Sequence, residues 1–250
     1  MAPDIAALRA LSADDLLKRL PSPPTLSPGF RFHPLVDGYV VPDDPARLFG
    51  TARQLPVPLL IGWDADEGMF FANDAPTTRA GYERFIRAKF PGSAGDRVLG
   101  RYPVNNDPEA RAITARVFGL YELITPTVLT AKAAAHRSRV FAYRFSRVSP
   151  RAKAQWGGAA HGVELPYVFD LLGNDVGQFE PHDRALSSSM VEAWIQFIKT
   201  GRPGTDQWPP FVQPSYQHLE FGDSVGVQST ESPDIEFFRE LFESMLVGLR

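Results

Sequence analysis

The apolar run Val57, Pro58, Leu59, Leu60, Ile61, followed at once by "GWDADEG" at 62–68, constrains this chain more than any other stretch. A short continuous apolar run suits a strand covered on both faces, and a polar, glycine-bounded turn behind it marks where that strand leaves its sheet. A second run rich in β-formers, "VFAYRF" at 140–145, combines Val140, Phe141, Ala142, Tyr143 and Phe145. Between the two, residues 79–90 and 108–138 have amphipathic helical spacing. Helix between two buried strands predicts a parallel crossover, so the expected fold class is α/β, with mostly parallel sheet strands and covering helices.

The flanking segments fit one unit. Ile5, Leu8, Leu11, Leu16 and Leu20 fall near helical spacing, with Ser12 as an N-cap for a second turn and Pro21 as the stop. Pro21, Pro23, Pro24, Pro28, Pro34, Pro42 and Pro45 then remove ladder donors, which leaves an extended surface traverse with at most a short edge strand near 38–41. A long helix is expected over 181–201, with Met190, Trp194, Phe197 and Ile198 on one face and Gly201 ending it. "YQHLEFG" at 216–222 reads as a short strand. A final helix from Asp234 aligns Ile235, Phe238, Leu241, Phe242, Met245 and Leu249 on a core-packing face. Residues 1–50 are thus helix and Pro-rich traverse, and 51–250 hold the strands, their loops and the covering helices.

Composition narrows the function. The net charge of -3 and scattered Lys and Arg give no basic stripe, which argues against nucleic acid or an anionic membrane as partner and favours a small neutral ligand. With no cysteine there is no thiolate nucleophile or thiolate metal site. His33, His136, His161, His182 and His218 show no metal-binding spacing, so no metal is expected. The first residues carry Asp4, Asp14 and Asp15 and no apolar core of a signal peptide, so the expected location is cytoplasmic.

Two loops expected behind the strands hold ionisable residues in apolar surroundings, where α/β sheets place their sites. Glu67 lies between Gly62 and Gly68 with Phe70 and Phe71 just beyond. Two readings stand open for it: a desolvated carboxylate that holds an imidazole, or a helix N-terminal acid stabilised by the dipole. His161, in "GGAAHGVELPYVF", is flanked by small residues that let the chain turn sharply; it is either a general base or a structural histidine. Acid before base, each on a loop following a strand, is the order of an α/β-hydrolase triad that lacks only its preceding serine.

At this point the chain resembles the type B carboxylesterase and cholinesterase-like family of α/β-hydrolases. The resemblance runs in register through "LRALSADDLL", "VDGYVVPDDPARLF", "VPLLIGWDADEGMFF", "ITPTVLTAKAAA", "VFAYRFSR", "GAAHGVELPYVF" and "MVEAWIQFIKTGRPG". It implies the C-terminal half of an α/β-hydrolase fold, with Glu67 as triad acid, His161 as triad base, and Phe70 and Phe71 at pocket-lining positions. It also implies a carboxylic ester substrate and no cofactor. Members of the family are about twice as long, and their N-terminal half carries the oxyanion loop and the serine elbow.

No serine before Glu67 occupies a strand-turn-helix context: Ser12 lies in a helix, and Ser22 and Ser27 lie in the Pro-rich traverse. Gly222-Asp223-Ser224-Val225-Gly226 fits the G-x-S-x-G elbow pattern, but "VQSTESPD" delays any helix, so Ser224 is expected in a hairpin turn and not as a nucleophile. The expected activity is that of a serine carboxylesterase whose serine comes from elsewhere, the isolated chain being inactive. Two alternatives remain: a catalytically silent interaction module, or a split product that needs its N-terminal half in trans. A hydrolase sheet cut at this point also predicts self-association through residues 57–61 and "VFAYRF".

Overall fold

The computed structural model describes residues 4–19, 34–173 and 177–247. Four strands form one sheet in the order β1 (Leu59–Asp64), β2 (Val140–Phe145), β3 (Gln217–Phe221), β4 (Val225–Ser229). β1 pairs parallel with β2 from Leu59↔Val140 to Asp64↔Phe145, β2 pairs parallel with β3, and β4 returns antiparallel in a hairpin. The sheet is therefore mostly parallel, as the two apolar runs predict.

Side-chain alternation divides the strands into two faces. After three short helices, α1 (Ile5–Arg9), α2 (Ala13–Arg19) and α3 (Pro45–Gly50), come α4 (Arg79–Lys89), α5 (Ser93–Arg101), α6 (Asp107–Gly119) and α7 (Thr125–Ala135), which with α11 (Pro233–Val247) build the layer that Ile61, Trp63, Val140 and Ala142 face. Phe141, Phe145, Leu219 and Phe221 face α10 (Pro181–Thr200), which follows the short helices α8 (Pro150–Gln155) and α9 (Leu165–Val168) and contributes Leu186, Met190 and Ala193. Ile235, Phe238 and Leu241 of α11 are buried as their spacing predicts; the Met245 side chain and Leu249 lie outside the described residues.

Several expectations are corrected. Val57 is 58% exposed and precedes the strand, because pairing with β2 begins at Leu59. "VFAYRF" is the central strand, paired on both sides, with Val140, Phe141, Ala142 and Phe145 buried, so it is not an open surface. The single helix expected over 108–138 is interrupted by a π turn at Leu120–Ile124. Pro126 supplies no N–H to the ladder, and the wider turn just before it accommodates the loss. On α10, Ile198 is 79% exposed while Met190 is fully buried, and Gly201 ends the helix in the left-handed region at φ 70. No strand forms near 38–41: Asp37 Oδ1 accepts the N–H groups of Tyr39, Val40 and Val41, each at 2.9 Å, which curls that segment into a turn. At the N-terminus the expected cap is present, Ser12 Oγ accepting the Asp15 N–H at 3.1 Å ahead of Ala13–Arg19. The Pro-rich stretch at 20–33, including Ser22, Ser27 and His33, lies outside the described residues.

Candidate active site

β1 ends at Asp64, and the chain turns into a tight 3-10 segment, Glu67–Asp74, whose first residue is the candidate acid. Two glycines set its position. A Cβ on Gly68 would lie 1.7 Å from the Ala115 carbonyl oxygen, and one on Gly119 would lie 2.6 Å from the Gly68 nitrogen, so segment and helix α6 meet backbone to backbone. Glu67 is thereby held almost fully buried.

The candidate base arrives from the other side. Behind β2 a short helix, Pro150–Gln155, intervenes before the Gly157-Gly158 turn, so His161 does not follow its strand directly. The two loops are stitched by hydrogen bonds: Asp66 N–H to the Ala159 carbonyl at 2.9 Å, Ala159 N–H to Asp66 Oδ2 at 3.0 Å, and Gly162 N–H to Asp64 Oδ2 at 2.8 Å. Gly162 takes φ +82, a conformation glycine adopts without strain, and so frees the His161 side chain to turn back onto Glu67.

The outcome is direct contact. Glu67 Oε2 lies 2.7 Å from His161 Nδ1, and Glu67 Oε1 accepts the Asp64 N–H at 2.9 Å. An ionised carboxylate has no proton to give, so Nδ1 carries the hydrogen and Nε2 keeps the lone pair. Among the described residues Nε2 has no hydrogen-bond partner. The hydrogen bond from Glu67 raises the His161 pKa above its ordinary 6.5, against the opposing effect of partial burial.

Phe70 and Phe71 both contact the imidazole, with ring centroids 6.0 and 5.9 Å from it. Phe70 is partly exposed, packs on Trp156 at 4.9 Å, and lines a cavity of 170 Å³ together with Trp156, His161, Val163 and Phe179. Phe71 turns inward against Phe118. A larger cavity of 810 Å³ lies on the other side of the acid loop, between Trp63, Met69, Arg144, His218, Glu220 and Asp234, and His161 does not reach it.

Neither Ser224 nor Ser149 joins the imidazole. Ser224 sits in the β3–β4 turn, where its carbonyl accepts the Gly222 N–H at 3.3 Å, and a strand comes after it instead of a helix. Neighbouring Asp223 is bonded to Arg147 at 2.7 Å, which anchors this turn to the core. Ser149 lines the 170 Å³ cavity, but its Oγ caps the helix behind it by accepting the Ala152 N–H at 3.2 Å. Asp64, Glu67 and His161 also bring donor atoms within 4.8 Å of one another. The hydrogen bonds above engage both Glu67 oxygens, His161 Nδ1 and Asp64 Oδ2, and leave Asp64 Oδ1 and His161 Nε2 without a partner among the described residues.

Sequence reasoning missed Asp64, Asp66, Glu164, Trp156 and Phe118. The one available signal was the acid spacing of "DADE", which places Asp64 at the strand terminus three residues before Glu67.

The chain is 31% identical over 240 residues to fumonisin B1 esterase from Sphingopyxis macrogoltabida, covering 89% of this chain and 44% of that protein. It is 30% identical over 217 residues to acetylcholinesterase from Bungarus fasciatus, covering 76% and 36%. Against para-nitrobenzyl esterase from Bacillus subtilis (strain 168) it is 28% identical over 250 residues, covering 95% and 49%. The chain thus spans half or less of the length of these curated relatives. A sequence profile described as the carboxylesterase family matches residues 3–238, and the chain belongs to that family.

Proposed function

We propose that this chain supplies the acid and the base of a Ser-His-Glu triad for hydrolysis of carboxylic esters, and that the serine and the oxyanion donors come from a hydrolase half outside these 250 residues. The observation that carries the reading is the 2.7 Å contact between Glu67 and His161 Nδ1, with Nε2 left unpaired among the described residues.

In that reaction Nε2 of His161 takes the serine hydroxyl proton as the serine oxygen attacks the ester carbonyl. The same proton then passes from the imidazolium to the departing alcohol oxygen, leaving an acyl-enzyme. A water molecule repeats the sequence: its proton goes to Nε2 and then to the serine, and the acid is released. Glu67 keeps the imidazole in the productive tautomer and stabilises the imidazolium. Phe70 and Trp156, beside the imidazole, favour an ester with an apolar or aromatic portion. No cofactor enters this scheme.

The test is complementation. Full-length chain alone should give no fluorophosphonate label and negligible p-nitrophenyl butyrate turnover, because the oxyanion donors supply much of the acceleration. Paired with a carboxylesterase N-terminal half bearing the serine elbow, it should gain turnover that falls by roughly 10⁶ on His161→Ala. Full turnover with His161→Ala would overturn the assignment of the base. Stoichiometric labelling of the chain alone at Ser149 or Ser224 would overturn the external serine.

A further inference from the structure

The C-terminal end of β1 gathers more negative charge than its surroundings compensate. Asp64, 2% exposed, projects from the strand end, and one of its oxygens, Oδ2, accepts the Gly162 N–H at 2.8 Å. The other, Oδ1, is buried without a donor, and so is Oε2 of Glu164. Glu164 lies two residues beyond the Gly162 that Asp64 holds, so the two orphaned oxygens belong to one turn against the end of β1. A bond between two carboxyl groups requires a proton on one of them, and one such proton satisfies both orphaned oxygens at once.

The groups facing the pair are Glu67 from the 3-10 segment, the Tyr143 phenol from β2 and the His161 imidazole from the base loop. None is a lysine or arginine. Asp64 and Glu67 are buried and Glu164 is half-buried beside a single imidazole, and like charges gathered in a partly desolvated site favour a proton on the carboxyl buried deepest, Asp64. Burial pushes the Asp64 carboxyl far above its ordinary range, and Glu164 and Glu67 add to the push.

We propose that Asp64 and Glu164 share one proton at neutral pH, and that this carboxyl–carboxylate bond clamps the His161 loop to the end of β1. Asp64 is then a positioning residue: its N–H orients Glu67, its Oδ2 holds the residue after His161, and the shared proton ties it to the turn beyond. The positioning role rests on Glu67 and His161 being the working acid and base. The shared proton does not.

Both parts are read on the full chain without turnover, so they stand or fall separately from esterase complementation. The infrared spectrum at neutral pH should show the carbonyl stretch of a buried protonated carboxylic acid, and the band should vanish in Asp64→Asn and in Glu164→Gln. Each amide keeps the hydrogen bond and leaves the pair with a single negative charge. The NMR titration midpoint of His161, assigned with His161→Gln, should therefore stay in place in both variants. If both carboxylates were ionised, either substitution would remove a charge and lower that midpoint by roughly one unit. Asp64→Ala removes the clamp, so the downfield Nδ1–H resonance of His161 should be lost, while Asp64→Asn retains it. Absence of the acid band, or a lowered midpoint in either amide variant, would overturn the shared proton. A downfield resonance unchanged in Asp64→Ala would overturn the clamp.

Discussion

His161 Nδ1 and Glu67 Oε2 lie 2.7 Å apart although 94 positions separate the residues. The two loops meet because β1 and β2 are adjacent parallel strands, so both chains leave the sheet at the same end. Backbone bonds then hold them together, and the side-chain contact is the last link of a stitched pair of loops.

The first prediction concerns proton affinity. Glu67→Gln removes the partner that raises His161, so the NMR midpoint should fall toward 6.5. The sign for stability is then set: a histidine raised by its partner stabilises fully below its unfolded value, and the contribution disappears as pH rises through the folded value. In a complemented enzyme turnover requires neutral imidazole, so the acid limb of the pH–rate profile should move to lower pH in Glu67→Gln while the plateau drops. An unmoved acid limb would show that another group titrates there.

The second concerns the close approach that seats the acid. Gly68→Ala places a methyl into the Ala115 carbonyl, so backbone must move, and the expected cost is about 3 kcal/mol or more in urea unfolding. Gly226→Ala in β4, where a Cβ meets nothing within 4 Å, is the matched control and should change stability little. Equal effects from both would refute the steric account.

A third prediction addresses the buried ion-pair network under the β3–β4 turn. Arg147 bonds Asp183 at 2.8 Å and Asp223 at 2.7 Å, and Tyr167 donates to Asp183 at 2.7 Å. Asp183→Ala leaves the guanidinium underpaired and should destabilise by about 3 to 5 kcal/mol. Burial acts to raise the Asp183 carboxyl, but Arg147, the Glu180 N–H and Tyr167 outweigh it and hold the value below 3.8. Its stabilisation is therefore present above pH 3.8 and lost as pH falls through the lower folded value. Acid titration followed by circular dichroism checks this: in Asp183→Asn that segment of the stability curve should flatten.

The fourth prediction concerns the sheet edge. Among the described residues β1 is paired on one side only, and Leu55 and Val57 beside it are 76% and 58% exposed. An open edge with apolar flanks favours self-association. Sedimentation at micromolar concentration should show oligomers, and Val57→Lys should shift them toward monomer without loss of the thermal transition. A monomeric parent chain would refute it.

Local periodicity and short ordered patterns were enough to read the two strands, the crossover between them and the final helix face, and to single out Glu67 and His161, which the fold brings into contact. They were also enough to place Ser224 outside an elbow, since an elbow needs a helix directly after its serine and the succeeding residues do not form one. Tertiary pairing and packing settled the rest. Pairing register excluded Val57 from β1 and made "VFAYRF" central instead of open, and register depends on which strands are neighbours. Packing against the sheet buried Met190 and left Ile198 outside, a choice that helical spacing does not make. The relation of Asp64 to Glu164 was illegible for the same reason: Asp64 ends β1 and Glu164 lies in the turn beyond His161, 100 positions later, and only the parallel pairing of β1 with β2 sends both segments to the same end of the sheet.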